Sequence, residues 1–278
     1  MLYSFLINGV YMRDKIKLNS LAVELRRDWD LNPYSPIDLF SIVLSKLPDL
    51  TILFYPMSDN TSGMCIKNIN GIDLNQLKGK SKKDNHSFND EDSTSNDMVI
   101  CINSNMSKGR QRFTLAHELY HLLFEEDKKD IIICETLNDD DSEKEANIFA
   151  SYLIMTYEGL ERYAKTNSLT EWSLEEIIRA EQYFQISHHA MLFRLKEHEF
   201  ISLDECIKLR SVEIGYNAKI NGFSDSLYTP SNTKEKYFSL GKYIRLVEKA
   251  FNDNKISPGK RDELLLDAFR SDLTYKFF

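Results

Sequence analysis

Two histidines bracket a glutamate at His117, Glu118 and His121, the H-E-x-x-H spacing, inside the otherwise apolar run RFTLAHELYHLLFEE. On a helix, residues four apart lie one turn above each other on the same face, so the two imidazoles can close on a single ion. Glu118 then sits beside that ion, where a carboxylate can take a proton from water and return it to a leaving amine. Chance supplies such a triplet on the order of once in a hundred chains of this composition. The metal reading therefore outweighs an amphipathic helix with two core histidines.

A hydrolytic zinc site takes three protein ligands and keeps one position for water. The residues after the motif, HLLFEED, contain neither the glycine nor the histidine of the longer H-E-x-x-H-x-x-G-x-x-H pattern, so the third ligand is expected to be a carboxylate from a second helix. The segment DDDSEKEANIFASYLIM provides one. Ser142 and Glu145 fit an S-x-x-E capping box that would occupy Glu145, which leaves Glu143 the freer ligand, with Glu145 and Asp139, Asp140 or Asp141 as alternatives. Glu143, Ala146, Asn147, Ala150 and Ile154 share a stripe, so a helix that packs its alanines on the first helix also aims Glu143 at the metal. Asn147, one turn on, is placed to hold a ligand from behind. A tetrahedral oxyanion would need a further donor, for which Tyr152, Tyr157, His188 and His189 are candidates.

RQRFTLAHELYHLLF followed by EKEANIFASYLIM resembles the ImmA/IrrE family of metallopeptidases, with its R-x-x-F-T-x-A-H-E-x-x-H helix and its downstream E-x-x-A-N-x-F-A helix. The resemblance covers residues 36 to 157, with weaker echoes in FQISHHAMLFRL and LVEKAFNDNKISPGKRDELL. It implies His117, His121 and Glu143 as zinc ligands and Glu118 as the catalytic glutamate. It further implies a zincin-like core and, as substrate, a cytoplasmic helix-turn-helix transcriptional repressor whose cleavage derepresses mobile-element, phage or stress genes. Tyr120 stands where the family has glycine, and Thr156 where it has proline.

The elements that must position these groups give an α+β chain. Asn8-Gly9 between SFLI and VYM predicts a small hairpin ahead of a helix over residues 18–29, which together make an N-terminal piece of residues 1–30. The metallopeptidase core is placed at residues 31–160: a helix after Pro36, strands at LTILFYPM, SGMCIKN and MVICINS, then the two ligand-bearing helices, the first capped by Ser107. Residues 78–97 are too polar to bury themselves and read as a mobile loop, in which His86 is a solvated side chain rather than a ligand. Over residues 161–200 two short helices joined near Ser187 have a helix-turn-helix outline, with His188, His189 and His198 read as surface residues and Arg112, upstream, as a structural ion-pair or capping group. Residues 201–278 are expected to be mixed α/β, with SVEIGYNAKINGF as a strand or hairpin, helices over about 236–253 and from Ser257-Pro258, and a regulatory, recognition or scaffolding role.

Composition narrows the partners. A net charge of -8 argues against a surface that neutralises phosphates or anionic lipid, so neither direct nucleic-acid nor membrane binding is expected. In the helix-turn-helix segment, residues 174–199, five acidic residues oppose three basic ones, which favours packing or partner binding over DNA. Cys65, Cys101, Cys134 and Cys206 form no C-x-x-C pair and read as reduced thiols; with no signal-like N-terminus or membrane-length apolar run, the expected location is cytoplasmic. The leading expectation is a zinc endopeptidase, with manganese as an alternative ion. A metal-containing binding module of a toxin-antitoxin pair comes second and a DNA-binding regulator third; nothing in the sequence sets the oligomeric state.

Overall fold

The computed structural model describes residues 2–67, 97–125, 131–135 and 141–275. The loop expected over residues 78–97 lies outside these except for Asp97, as do His86, Asp139 and Asp140. Helix α1 spans Leu2–Asp28 without a break at Asn8-Gly9, so the expected hairpin is replaced by helix. An isolated two-stranded hairpin has little to bury, whereas this helix drives Leu18, Ala22 and Leu25 into the core, with Trp29 just beyond its end.

Helix α2 (Leu39–Lys46) leads into a five-stranded sheet: β1 (Leu50–Tyr55), β2 (Thr61–Ile66), β3 (Met98–Asn103), β4 (Ile131–Glu135) and β5 (Phe238–Gly241). Their order is β4-β2-β3-β1-β5. β1 and β3 run parallel and the other neighbours antiparallel. Three strands are those expected; β4 lies between the two ligand-bearing helices, and β5 occupies the start of the stretch expected as a helix from 236. Asn103 fixes the turn between β1 and β2 from inside: its amide donates to Ser58 O and Thr61 O, and its Oδ1 accepts from the Met57 and Asn105 amides.

Helix α3 (Lys108–Phe124) lies against β2 and β3 and carries the H-E-x-x-H motif. Its middle, from Thr114 to Leu122, is buried on every side. Helix α4 (Asp141–Ile154) packs along it through fully buried Ala146 and Ala150, where a missing side chain lets two helix backbones approach. Helix α1 covers α4 as well, and a buried arginine ties the two together. Arg26, 1% exposed, donates through Nε to Leu153 O and through Nη2 to Ile154 O, the last carbonyls of α4, and through Nη1 to Asn32 O and Ser35 O. Cationic donors suit a helix C-terminus, whose final carbonyls have no partner in the helix. Thr156 then starts α5 (Tyr157–Thr166): its hydroxyl accepts from Gly159 N at 3.0 Å and donates to Pro33 O at 2.7 Å. Where the family has proline, this chain has a capping residue that turns the path back onto the segment after α1.

The two helices of residues 161–200 are α6 (Leu174–Phe184) and α7 (His188–Glu197). They are followed by α8 (Leu203–Arg210), α9 (Ile214–Ile220), a 3-10 turn (Ser226–Tyr228), α10 (Lys242–Asn252), α11 (Pro258–Asp267) and α12 (Ser271–Thr274). The strand or hairpin expected over SVEIGYNAKINGF is thus a helix. Its Asn-Gly pair terminates α9: Gly222 takes φ +81, and Phe223 N bonds back to Ala218 O at 2.9 Å. Among the described residues no helix is long and apolar enough to cross a membrane.

Candidate metal centre

The motif face of α3 meets the first turn of α4, where a carboxylate is favoured by the helix dipole. His117 Nε2 lies 3.1 Å from Glu143 Oε2, His121 Nε2 lies 3.6 Å from Glu143 Oε1, and the two Nε2 atoms are 3.0 Å apart. All three residues are buried. They form the described group that could hold a metal ion. The spacing fits that use: ligand atoms about 2.0–2.1 Å from a tetrahedral ion stand roughly 3.3 Å from one another, and the three separations straddle that value. Two ring nitrogens and a carboxylate are a donor set that suits zinc and neighbouring divalent ions.

Each imidazole is held from behind. His117 Nδ1 lies 3.0 Å from Asn147 Oδ1; an N–H donated there leaves the Nε2 lone pair aimed at the centre of the cluster. His121 Nδ1 lies 2.9 Å from Glu125 Oε2, and Glu125 also accepts from the Ser142 hydroxyl. The two rings titrate in opposite directions. Burial pushes His117 down, but its hydrogen bond to Glu143 and the charges of Glu118 and Glu143 outweigh that and hold it above the usual histidine value. Burial, then the charge of His117, holds His121 below it.

Glu118, one residue on from His117 and therefore turned toward the sheet, is 0% exposed and lies under β2. Only glycine fits above it. A Cβ on Gly63 would stand 2.9 Å from Glu118 Oε1, 2.6 Å from Thr114 Cγ2 and 2.8 Å from Cys101 O. The Cys65 thiol, on the same face of β2, hydrogen-bonds to Glu118; burial, then the Glu118 charge, pushes that thiol far up, and the same two causes push Cys101 up to about 12. Both thiols therefore stay protonated beside the carboxylate. Nothing in the motif spacing pointed to Gly63, Cys65 or Glu125; a glycine inside a strand was the one available signal.

Other candidates are placed elsewhere. The Ser142–Glu145 capping box does not form, because the Ser142 hydroxyl serves Glu125 and Glu145 accepts from Tyr120 OH at 2.5 Å. Tyr120, where the family has glycine, packs between Phe124 and Phe149. Asp141 is exposed and pairs with Lys144 at 3.5 Å. Tyr152 lies nine residues from Glu143, roughly 180° around the helix, and its hydroxyl donates to Glu197 at 3.1 Å. The Tyr157 ring stacks on His198 at 3.8 Å. Both tyrosines thus engage the end of α7. His188, expected at the surface, is buried: its Nδ1 lies 2.6 Å from Glu181, itself 0% exposed, and its Nε2 2.9 Å from Leu209 O, because the α6–α7 pair is packed shut by this polar link. His189 is exposed, and Arg112 holds Ile37 O with Asp38 4.0 Å away.

Residues 69–196 match the family model described as the IrrE N-terminal-like domain, Peptidase_M78. A comparison with curated proteins finds no match. The matched segment contains the whole of α3, α4 and the His117–His121–Glu143 cluster. Over these residues the chain is similar to the ImmA/IrrE family of metallopeptidases, and 69–196 is its IrrE N-terminal-like stretch.

Proposed function

We propose that the chain is a zinc-dependent endopeptidase acting in the cytoplasm on a helix-turn-helix transcriptional repressor. The observation that supports it most is the closure of two imidazoles and one carboxylate on a single point, with a second carboxylate, Glu118, adjacent to it and buried. His117, His121 and Glu143 would hold the zinc, which when bound would supply Lewis-acid activation of a water and of the scissile carbonyl. Glu118 accepts the proton of the attacking water and delivers it to the departing amine nitrogen, so one carboxylate serves both transfers. The Cys65 thiol and the shape of β2 at Gly63 hold that carboxylate in one place while it does so. Asn147 and Glu125 fix the two rings. The repressor as substrate rests on the family alone.

The test is a cleavage assay. Zinc-loaded wild type and Glu118→Gln are incubated with a small helix-turn-helix protein encoded in a neighbouring reading frame. Cleavage by wild type, absent in the variant although it retains zinc, is expected. A variant that retained full function would instead make the chain a binding module.

A further inference from the structure

Beside the cluster, between the exposed flank of α3, the outer face of α4 and the start of α7, runs a groove of about 640 Å³. Asn147 belongs to both places: its side chain lines the groove, and its Oδ1 holds His117 at 3.0 Å. Anything lying along the groove therefore passes behind His117, one helical turn from Glu143. Its apolar surface comes from Phe113, Ile148, Ala190, Phe193 and Ile214, and Phe193 is 45% exposed, a large ring left facing solvent. Its charged surface is of one sign. Arg110 and Lys144 line it, and no aspartate or glutamate does so among the described residues. In a chain of net charge -8 that is a local reversal of the general field.

Arg110 can receive a ligand. Arg110 is exposed and forms no ion pair with a carboxylate among the described residues. Lys144 pairs with Asp141 at 3.5 Å between exposed side chains and adds a second positive charge to the same wall. We propose that this groove seats the substrate chain next to its scissile bond and selects segments in which large apolar side chains are flanked by aspartate or glutamate. The apolar residues would fill the space over Phe113 and Ile148, and the acidic ones would pair with Arg110 and Lys144. The groove is within the size range of sites that enclose several side chains. The state of His189 in the groove wall agrees with a positive field: burial, then Arg210, His188 and Arg110, hold it below the usual histidine value. This assignment rests on the endopeptidase reading and specifies the substrate class for it.

Binding can be read without hydrolysis. The full-length, zinc-loaded Glu118→Gln chain is titrated against short fluorescein-labelled peptides of three kinds: leucine flanked by glutamate, the same with lysine for glutamate, and the same with serine for leucine. The first is expected to bind roughly ten-fold or more tighter than either of the others, with an affinity that falls as salt is raised. Arg110→Glu combined with Lys144→Glu should reverse the preference between glutamate and lysine peptides, and Ile148→Ser should erase that between leucine and serine. Should the double variant fail to fold, Arg110→Gln alone must still narrow the charge preference. Equal binding of the acidic and basic peptides, indifference to these substitutions, or displacement of the peptide by a single-stranded oligonucleotide would each overturn the assignment. Selective binding with no cleavage by wild type would leave the groove standing and remove the protease; cleavage with no preference for acidic flanks would do the opposite.

Discussion

Replacing Glu125 by alanine tests whether the metal centre depends on support from outside the ligand set. Glu125 Oε2 is 2.9 Å from His121 Nδ1, and the glutamate side chain is 10% exposed while the imidazole is 0% exposed. Without the carboxylate, the buried Nδ1 would lose the charged group that faces it at 2.9 Å and the ring its orientation, and little water can reach it. Partners of this kind are worth about 10- to 100-fold in metal affinity, or roughly 1.4–2.7 kcal/mol. The complete burial of His121 places Glu125→Ala at the upper end of that range. The matching change on the other ring, Asn147→Ala, removes an acceptor at 3.0 Å, but Asn147 is exposed, so water can replace its oxygen and the loss belongs at the lower end. Glu125→Gln keeps an acceptor without its charge and should fall between them. Competition for zinc against a chromophoric chelator, at one pH, measures all three. If Glu125→Ala binds zinc within about two-fold of wild type, or Asn147→Ala loses more than Glu125→Ala, the account of how the rings are held is wrong.

Gly63→Ala should cost about 1–3 kcal/mol through overpacking and lower turnover by displacing Glu118, while zinc affinity, read by the same competition, stays near wild type because no ligand is touched. Arg26→Met strips donors from the carbonyls ending α4, and a loss of about 3–5 kcal/mol is expected from a buried, multiply bonded cation; a small change in the urea midpoint would contradict it. His198 is stacked between Tyr157 and Phe200, and burial, then Arg194, lowers it to about 4. Its folded value is below the ordinary unfolded value near 6.5, so its contribution to stability is complete above about pH 6.5 and lost as pH falls toward 4. Denaturation of wild type and His198→Gln across that window should show a shallower acid-side decline in the variant; parallel curves would exclude the effect.

What could be read from the sequence was whatever a short period or spacing encodes. His117, Glu118 and His121 are fixed relative to one another by one helix, and Glu143 with Asn147 by another, so helical geometry alone placed each set on a face. The first three strands were legible as short β-rich runs bounded by turn residues. β5 was not: four residues, FSLG, find their place only because the edge of β1 is available across nearly the whole chain. The two Asn-Gly pairs were misread alike, since the same dipeptide serves a hairpin turn or a helix interior or end, and what decides is whether a core lies alongside. His188 carried no local sign of burial either. Its partner Glu181 is on the preceding helix, and Tyr228, which donates to the same carboxylate at 2.7 Å, is forty residues on.

The glutamates around the cluster show how environment, rather than residue type, divides the labour. Glu143 faces two imidazoles from the first turn of α4, where the dipole favours its charge, and so is the carboxylate that could hold an ion with them. Glu125 approaches the remote nitrogen of His121 and takes the Ser142 hydroxyl, so it can orient a ring but reaches no metal through it. Glu145, two residues on from Glu143 and so roughly 200° around α4, is met by Tyr120 and is spent on the seam between α3 and α4. Glu118 is pressed beneath β2 with a thiol as neighbour, a setting that suits the proton transfers proposed for it. Glu118, Glu125 and Glu143 gather around two histidines, an arrangement that favours a divalent cation at its centre. The same crowding gives an acidic protein a reason to line the adjoining groove, among the described residues, with cations and no carboxylate: a substrate bearing acidic flanks could otherwise not approach a centre already so rich in negative charge.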